Sequence, residues 1–253
     1  MASSRIIDTF ILPLSFLEAE IFSPTTELWV TLLRVTPRKY RKCIKSQNGN
    51  LVFIYIFMLR SFYGAQIASC FEYLHSKDTV YRDLKPENIM ISDDGYLKLI
   101  DYGFAKTVTK RTYTICGTPE YIAPEILLNK GHGKPVDWWT FGILIYEMHA
   151  GHAPFIDDDP MNIYKKIINT KPRYPDGFDS KLKSLVKHLL RRDLSKRFGN
   201  LVSGVSDIKD HRFFQSISWP ELLAKRITAP HLPTVPPVPT SESNFIRDRA
   251  TNA

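Results

Sequence analysis

The chain has 253 residues, of which 43% are hydrophobic and 24% are charged, an ordinary globular composition that excludes disorder throughout. With 34 Lys and Arg against 26 Asp and Glu, the net charge of +8 suits nucleic acid, an anionic membrane surface or a phosphate-bearing ligand without choosing among them. The longest uninterrupted apolar run, residues 51–59, is about half as long as a membrane-spanning helix, so we expect no membrane span.

Cysteine content and the start of the sequence bear on the compartment. The three cysteines have no metal-ligand spacing, and their odd number argues against a disulfide framework. The opening apolar stretch, residues 6–17, is interrupted by Asp8 and Pro13, which is unlike a secretory signal. We therefore expect a cytoplasmic protein, with the nucleus as a second location.

Residues 1–60 mix apolar runs with a cluster of basic residues between Arg38 and Lys45. Such a cluster would suit nuclear import or anion binding, but charge runs more often form a solvated face or loop. The basic cluster alone therefore assigns no function.

The next part of the chain predicts a helix followed by short strands. Ile67, Phe71 and Leu74 lie at helical spacing, which predicts an amphipathic helix over Ser61–His75 that ends near Ser76. Three short strand-like segments follow, with residues 93–95 as the turn between the last two, at Thr79–Arg82, Asn88–Ile91 and Tyr96–Ile100.

Two later segments also predict helices. Residues 137–149 leave almost no polar face, and a helix that is apolar all round must be buried on all sides, so we expect it at the centre of the domain. Residues 181–190 show amphipathic spacing. After Phe214, prolines accumulate and large apolar residues become rare, as in an extended tail.

A strong functional signal is the order of three motifs. The run Tyr81-Arg82-Asp83-Leu84-Lys85-Pro86-Glu87-Asn88 is followed by Asp101-Tyr102-Gly103 and then by Ala123-Pro124-Glu125. Each motif alone would occur by chance, but in this order and spacing they resemble the catalytic loop, the metal-binding loop and the end of the activation segment of protein kinases. The alternative, that Asp83 and Asp101 only cap turns, leaves this order unexplained.

Phosphoryl transfer needs a carboxylate at the acceptor hydroxyl and a separate set of magnesium ligands. The resemblance implies that Asp83 orients or deprotonates the acceptor hydroxyl and that Lys85 steadies the transferred phosphate. It implies ATP and Mg²⁺ as cofactors, with Asn88 and Asp101 holding the metal, since oxygen ligands suit a small hard cation. The residues implied in ATP binding are Lys85, Glu87, Asn88, Met90 and Asp101.

Residues 111–121 resemble the activation loop of the cyclic-AMP-dependent protein kinases. The resemblance places the phosphorylated residue at Thr114, with Arg82 and Lys106 as the cations that would pair with the phosphate. An unmodified loop threonine is the alternative, because the modification cannot be read from sequence.

The resemblance also implies substrate contacts. Thr118 would hydrogen-bond Asp83 and Lys85, which favours serine or threonine over tyrosine as the acceptor. Glu87 and Glu147 match acidic positions that bind an arginine upstream of the acceptor. The apolar pocket for the residue after the acceptor would contain Ile115, Pro119 and Ile122. For Glu147 the alternative is a plain helix-surface residue.

Two structural contacts follow from the same resemblance. Asp137 would hydrogen-bond the backbone of the catalytic loop, and Glu125 with Arg197 would form a buried ion pair that ties the activation segment to the lobe. Removing one partner of such a pair typically costs about 3–5 kcal/mol, because the other charge is left uncompensated.

The family pattern fails near the start of the chain. A kinase carries a Gly-rich loop over the nucleotide phosphates, a strand lysine and a helix glutamate, but before Asp83 the only glycines are Gly49 and Gly64. The available length is also short for five strands and a helix. We therefore expect residues 1–60 to be an atypical remnant or a replacement of the nucleotide-binding lobe. A milder departure is Tyr102, where the family usually has Phe.

Taken together, the resemblance implies an α+β, protein-kinase-like fold with a mainly helical C-terminal lobe over residues 61–214 and a truncated tail of the AGC kinase group over 215–253. The expected activity is a Ser/Thr kinase acting on protein substrates with basic residues upstream of the acceptor. The alternative is a catalytically impaired lobe that binds peptides or a cyclic-AMP-binding regulatory subunit. A nucleic-acid partner is not expected, since no base-stacking or groove-reading motif accompanies the basic cluster.

Overall fold

The computed structural model describes residues 49–114 and 117–232, with residues 49–58 given by their helical backbone alone. The predicted remnant at the start of the chain, the basic cluster, Ile115 and the end of the predicted tail therefore lie outside the described residues.

Seven α-helices and four short strands are present in the described part of the chain. The helices are α1 (Gly49–Ser76), α2 (Pro124–Leu127), α3 (Pro135–Ala150), α4 (Pro160–Asn169), α5 (Ser180–Leu189), α6 (Ser206–Lys209) and α7 (Trp219–Leu223). The strands are β1 (Thr79–Val80), β2 (Ile89–Ile91), β3 (Leu97–Leu99) and β4 (Lys106–Thr107). Single 3₁₀ turns lie at Pro86–Asn88, Pro119–Tyr121 and Leu194–Lys196. This mixture of helices and small sheets confirms the predicted α+β class.

The first helix is longer than the sequence pattern predicted. It begins at Gly49 instead of Ser61, because residues 50–60 contain no glycine or proline that would end it, and it ends at Ser76 as predicted. At Gly64 it comes close to α3: a Cβ added there would lie 2.8 Å from Cδ1 of Ile145. Glycine therefore permits the tight packing of α1 on α3.

The central helix α3 is buried almost throughout, as predicted. Only Pro135, Glu147 and His149 of its residues are not fully buried. Pro135 occupies its first turn, and Gly151, with φ 77°, ends it in the left-handed conformation that glycine adopts without strain. Because α1 and α5 both pack against α3, this helix holds the core of the lobe together.

Two antiparallel two-stranded sheets position the functional loops. The first pairs β1 with β4, and the second pairs β2 with β3 in the register Ile89↔Leu99 and Ile91↔Leu97. The predicted strand at Thr79–Arg82 is confirmed only for its first two residues, because Arg82 takes a φ of 70° that a strand cannot contain. The predicted turn between β2 and β3 is present, with Gly95 at φ 75°.

The segment after α7 returns to the β2–β3 turn. Lys225 Nζ donates to Asp94 at 2.5 Å, and the Tyr96 hydroxyl donates to the carbonyl of Ile227 at 2.6 Å. A Cβ on Gly95 would lie 2.3 Å from the carbonyl oxygen of His231, so the turn and the returning chain are in direct contact. No helix within residues 49–114 and 117–232 combines the length and apolar character needed to cross a membrane.

Candidate active site

The loop that follows β1 is anchored by Asp137 at the start of α3. Its carboxylate accepts hydrogen bonds from the backbone N–H of Tyr81 at 2.9 Å and of Arg82 at 2.8 Å. His75 Nε2 lies 2.7 Å from the same carboxylate, which is fully buried. A buried carboxylate needs such partners, and here they fix the backbone immediately before Asp83.

Asp83 lies at the centre of a hydrogen-bonded group. Its Oδ2 accepts from Lys85 Nζ at 2.9 Å and from Asn88 Nδ2 at 2.7 Å, while Asn88 Nδ2 also donates to the Asp83 carbonyl at 2.8 Å. Both side-chain bonds fall on one oxygen, which leaves Oδ1 without a hydrogen-bond partner among the described residues. That oxygen can accept a proton or a hydrogen bond from an incoming hydroxyl.

Asn88 and Asp101 meet at one end of the β2–β3 sheet. The backbone N–H of Ile100 donates to the Asn88 carbonyl at 3.0 Å, so the residue after Ile100 lies beside the 3₁₀ turn that ends at Asn88. Asp101 is exposed, and its Oδ1 accepts a hydrogen bond from the Gly103 N–H at 3.0 Å. Since the Asn88 amide nitrogen is committed to Asp83, its Oδ1 is the atom left to face a cation.

These donors fit magnesium. No group of three or more His, Cys, Asp or Glu side chains in the described ranges could hold a metal by itself. Magnesium, however, is usually held by one or two carboxylates together with phosphate oxygens of a substrate. One exposed carboxylate at Asp101 and one amide oxygen at Asn88 match this requirement. Met90, the remaining residue implied in ATP binding, is half-buried on β2.

The Tyr102 hydroxyl forms a hydrogen bond with a side chain of α1. The hydroxyl donates to the thiol sulfur of Cys70 on α1, and burial raises the pKa of that thiol to about 12, so it stays protonated. The Tyr102 ring packs edge-on against Tyr81 with centroids 5.4 Å apart. The Tyr81 hydroxyl in turn donates to the Ile100 carbonyl at 2.5 Å. These contacts tie the metal-binding loop to α1 and to the catalytic loop.

The implied phosphate ligands lie beside the activation segment. Arg82 is buried, its Nε donates to the Phe104 carbonyl at 2.7 Å, and its Nη1 has no hydrogen-bond partner among the described residues. Lys106 Nζ donates to Thr112 Oγ1 at 3.0 Å. Thr114 is exposed and is bonded to neither cation.

Thr118, Asp83 and Lys85 all lie in the described part of the chain and are not hydrogen-bonded through Thr118 there, and the contacts expected from Thr118 stay a prediction. Oδ2 of Asp83 is already occupied by Lys85 and Asn88. Thr118 instead precedes the 3₁₀ turn at Pro119–Tyr121 and lines a cleft next to Asp83. Ile122 is buried in the wall of the same cleft, whereas Pro119 is half-buried.

The acidic substrate positions form a group of three. Glu147 accepts a short hydrogen bond from the Tyr121 hydroxyl and is half-buried, unlike a plain helix-surface residue. Burial raises its pKa, and the nearby charges of Glu87 and Glu120 raise it further. Sequence reasoning missed Glu120 and Tyr121; their position next to Pro119 in the activation segment was the available signal. Three carboxylates at one place can bind a cationic side chain.

Glu125 and Arg197 form a two-pronged ion pair. Arg197 Nη1 and Nη2 donate to the two carboxylate oxygens of Glu125 at 2.6 and 2.9 Å, and both side chains are buried. The guanidinium also lies over the Trp139 ring, 5.2 Å from its centroid. The pair connects α2, at the end of the activation segment, to the turn after α5.

With this geometry in place, comparison with known families identifies the class. The family described as "Protein kinase domain" matches residues 20–214, and the chain therefore belongs to the protein kinase family. The match begins inside the segment 1–60, so the domain boundaries drawn from the sequence stay a prediction.

Named relatives narrow the relationship. The chain is 50% identical over 174 residues to the human cAMP-dependent protein kinase catalytic subunit PRKX, covering 69% of this chain and 49% of that protein. It is 51% identical over 175 residues to the Drosophila melanogaster cAMP-dependent protein kinase catalytic subunit 3, covering 69% of this chain and 30% of the relative. It is 47% identical over 186 residues to the Saccharomyces cerevisiae cAMP-dependent protein kinase type 3, covering 74% and 47%. The predicted relationship to these AGC kinases is confirmed, although the chain spans about half the length of these relatives, or less.

Proposed function

We propose that this chain transfers the γ-phosphate of ATP to serine or threonine hydroxyls in proteins. The observation that carries the proposal is the Asp83 carboxylate, which is held by Lys85 and Asn88 through one oxygen while the other is unpartnered in the described part of the chain. A positioned carboxylate with a free oxygen suits the acceptor hydroxyl of phosphoryl transfer.

The roles of the neighbouring residues follow from their positions. Asp83 Oδ1 orients the hydroxyl and accepts its proton as the reaction proceeds. The Lys85 ammonium lies beside Asp83 and stabilises negative charge on the transferred group. Asn88 Oδ1 and Asp101 would hold magnesium, which supplies neutralisation of the phosphate charge when bound. The hydrogen bonds from the backbone N–H groups of Tyr81 and Arg82 to Asp137 hold these groups in position.

We infer that the preferred substrates carry arginine upstream of the acceptor. Glu87 and Glu120 lie close enough to Glu147 to raise its pKa, and no described cation is bonded to Glu147. A guanidinium placed among them would relieve the repulsion and gain charge-assisted hydrogen bonds. Acidic groups at the cleft therefore select basic peptides in spite of the positive net charge of the chain.

A regulatory subunit that binds cyclic AMP is a proposed partner. Tyr113, in the activation segment, is 59% exposed, and Tyr164 is half-buried on α4. Exposed aromatic side chains of this kind supply large apolar contacts at protein interfaces. Substituting Tyr113 by alanine should weaken capture of the chain by such a subunit, measured by surface plasmon resonance, without changing peptide phosphorylation.

Phosphate transfer to an Arg-Arg-x-Ser peptide tests the proposed function. With radiolabelled ATP and magnesium, Asp83→Asn should lower the rate by about 10²- to 10⁴-fold, whereas the exposed turn variant Asp93→Asn should match the unmodified chain. Equal background from the unmodified chain and Asp83→Asn would overturn the proposal. Peptide binding that persists without ATP in that case would indicate a peptide-binding module instead.

A further inference from the structure

Beneath the activation segment, Arg82 and His132 each carry one buried side-chain nitrogen that has no hydrogen-bond partner among the described residues. Arg82 is 7% exposed and His132 is 3% exposed. Arg82 Nη1 and His132 Nε2 are both buried without a hydrogen-bond partner among the residues that the structure describes. Nearly all buried polar groups in folded proteins are paired, so two such atoms in one region indicate a missing hydrogen-bond partner.

The backbone brings His132 to the activation segment. Thr112 and His132 form an antiparallel bridge, in which each N–H donates to the other's carbonyl at 2.9 and 2.8 Å. Side chains of a directly opposed pair lie on the same side of the bridge. Thr112 Oγ1 accepts from Lys106 on that side, so His132, Thr112 and Lys106 form one group.

The same bridge orients Thr114. Side chains alternate along an extended segment, so the side chain two residues after Thr112 returns to the side of His132. The intervening Tyr113 packs on the other side, where a Cβ added to Gly131 would lie 2.9 Å from its ring. Thr114 is exposed and therefore accessible to modification.

The charges facing His132 are unbalanced toward positive. Burial lowers its pKa, Arg82 and Lys106 lower it further, and Glu125 and Asp137 act in the opposite direction. Both acids are already committed, Glu125 to Arg197 and Asp137 to the catalytic-loop backbone and His75. The imidazole is therefore neutral at neutral pH.

We propose that His132 is a third ligand of a phosphate on Thr114, together with Arg82 and Lys106, and that it takes up a proton when that phosphate is present. The inference rests on the proposed phosphorylation of Thr114. A phosphate carries close to two negative charges and has oxygens that accept hydrogen bonds. Its charge favours the imidazolium form, which donates through Nε2. Unlike arginine and lysine, this ligand makes the ordering of the activation segment sensitive to pH.

The direct test is titration of the histidine by NMR. Full chain carrying phosphothreonine at position 114, incorporated during translation, would be compared with the unmodified chain, so that no kinase activity is needed. We expect the pKa of His132 to rise by at least about one unit with the phosphate, while the ring signals of His188, which bonds to Ser184 on α5, are the same in both forms. A His132 pKa that is the same in both forms would overturn the proposal.

A second test measures how well the phosphate is protected. Removal of the Thr114 phosphate by a Ser/Thr phosphatase should be about tenfold faster in His132→Leu than in the unmodified chain. His132→Gln, which keeps a donor without titrating, should lose the dependence of protection on pH between about pH 6 and about pH 8. Equal rates in the unmodified chain and His132→Leu, with equal melting temperatures, would contradict the role. If His132 titrates as expected while the peptide assay gives no transfer, the proposed activity fails and this site stands.

Discussion

Two groups of side chains differ in how complete their contacts are: the group around Asp83 in the catalytic loop, and the pair formed by Arg82 and His132 beside the activation segment. Asp83, Lys85 and Asn88 are bonded to one another without any ligand. Arg82 and His132, by contrast, each keep a buried nitrogen with no partner in the described ranges. Side chains that perform the same step in every catalytic cycle can be bonded to one another beforehand. Side chains that respond to a modification gain their partner only when the modification is present.

The largest effect on stability is expected from the buried ion pair between Glu125 and Arg197. Arg197→Met or Glu125→Gln should lower the free energy of unfolding by about 3–5 kcal/mol, because either change leaves a charge or polar group buried alone. Urea denaturation followed by circular dichroism measures this. The exposed pair variant Glu221→Gln should leave the unfolding midpoint unchanged. A similar midpoint for Arg197→Met and Glu221→Gln would show that the pair is not a tether.

The contact between Lys85 and Asp83 predicts that Lys85 has a large effect on the reaction rate. Lys85→Met should lower peptide phosphorylation by about 10²- to 10³-fold, because it removes a cation next to Asp83 where negative charge develops. The exposed Lys98→Met on β3 is the matched control and should retain full activity. Loss of activity in both variants would show that removing any positive charge lowers the activity, and would contradict a specific role of Lys85.

The acidic group predicts a pH-dependent preference for arginine. Since burial and neighbouring carboxylates raise the pKa of Glu147, it is protonated at a higher pH than an ordinary glutamate. The apparent affinity for an arginine peptide should therefore fall as pH is lowered toward the acidic range, and Glu147→Gln should remove that dependence with about a tenfold higher KM. A peptide with alanine in place of the arginine should show neither effect.

The smallest expected effect concerns Tyr102. Tyr102→Phe removes the hydrogen bond to Cys70 and should cost about 0.5–1.5 kcal/mol of stability. Hydrogen exchange of the Asp101–Gly103 backbone should accelerate, because the metal-binding loop loses a tie to α1. Unchanged exchange there would mean that the ring packing on Tyr81 suffices.

Much of the fold was predictable because local patterns dictate it. The buried α3 followed from a run with almost no polar face, and the β2–β3 turn followed from Asp93-Asp94-Gly95. The start of α1 was misplaced because apolar residues around the whole helix circumference hide the periodicity that marks a helix. The strand at Thr79–Arg82 was cut short by the left-handed backbone of Arg82, which has no local sequence signal.

Part of the candidate site could likewise be predicted from the sequence, and part could not. Motif order alone identified Asp83, Lys85, Asn88 and Asp101, since residue types at fixed spacing suffice to recognise a family. The sequence could not show which oxygen of Asp83 binds Lys85 and Asn88, because competition for a carboxylate oxygen depends on side-chain geometry. The sequence did not indicate Glu120 or His132, because the residues near them come from other parts of the chain. Glu120 lies near Glu147, and His132 is paired with Thr112.

By itself the sequence determined the class of fold, the family and the motif residues of the candidate site, because these depend on residue type, order and local periodicity. Only the tertiary structure decided which oxygen of Asp83 binds Lys85 and Asn88, which carboxylates lie near Glu147, and which nitrogens of Arg82 and His132 are buried without a partner among the described residues. The physical reason is that pairing and desolvation are set by groups brought together from distant parts of the chain.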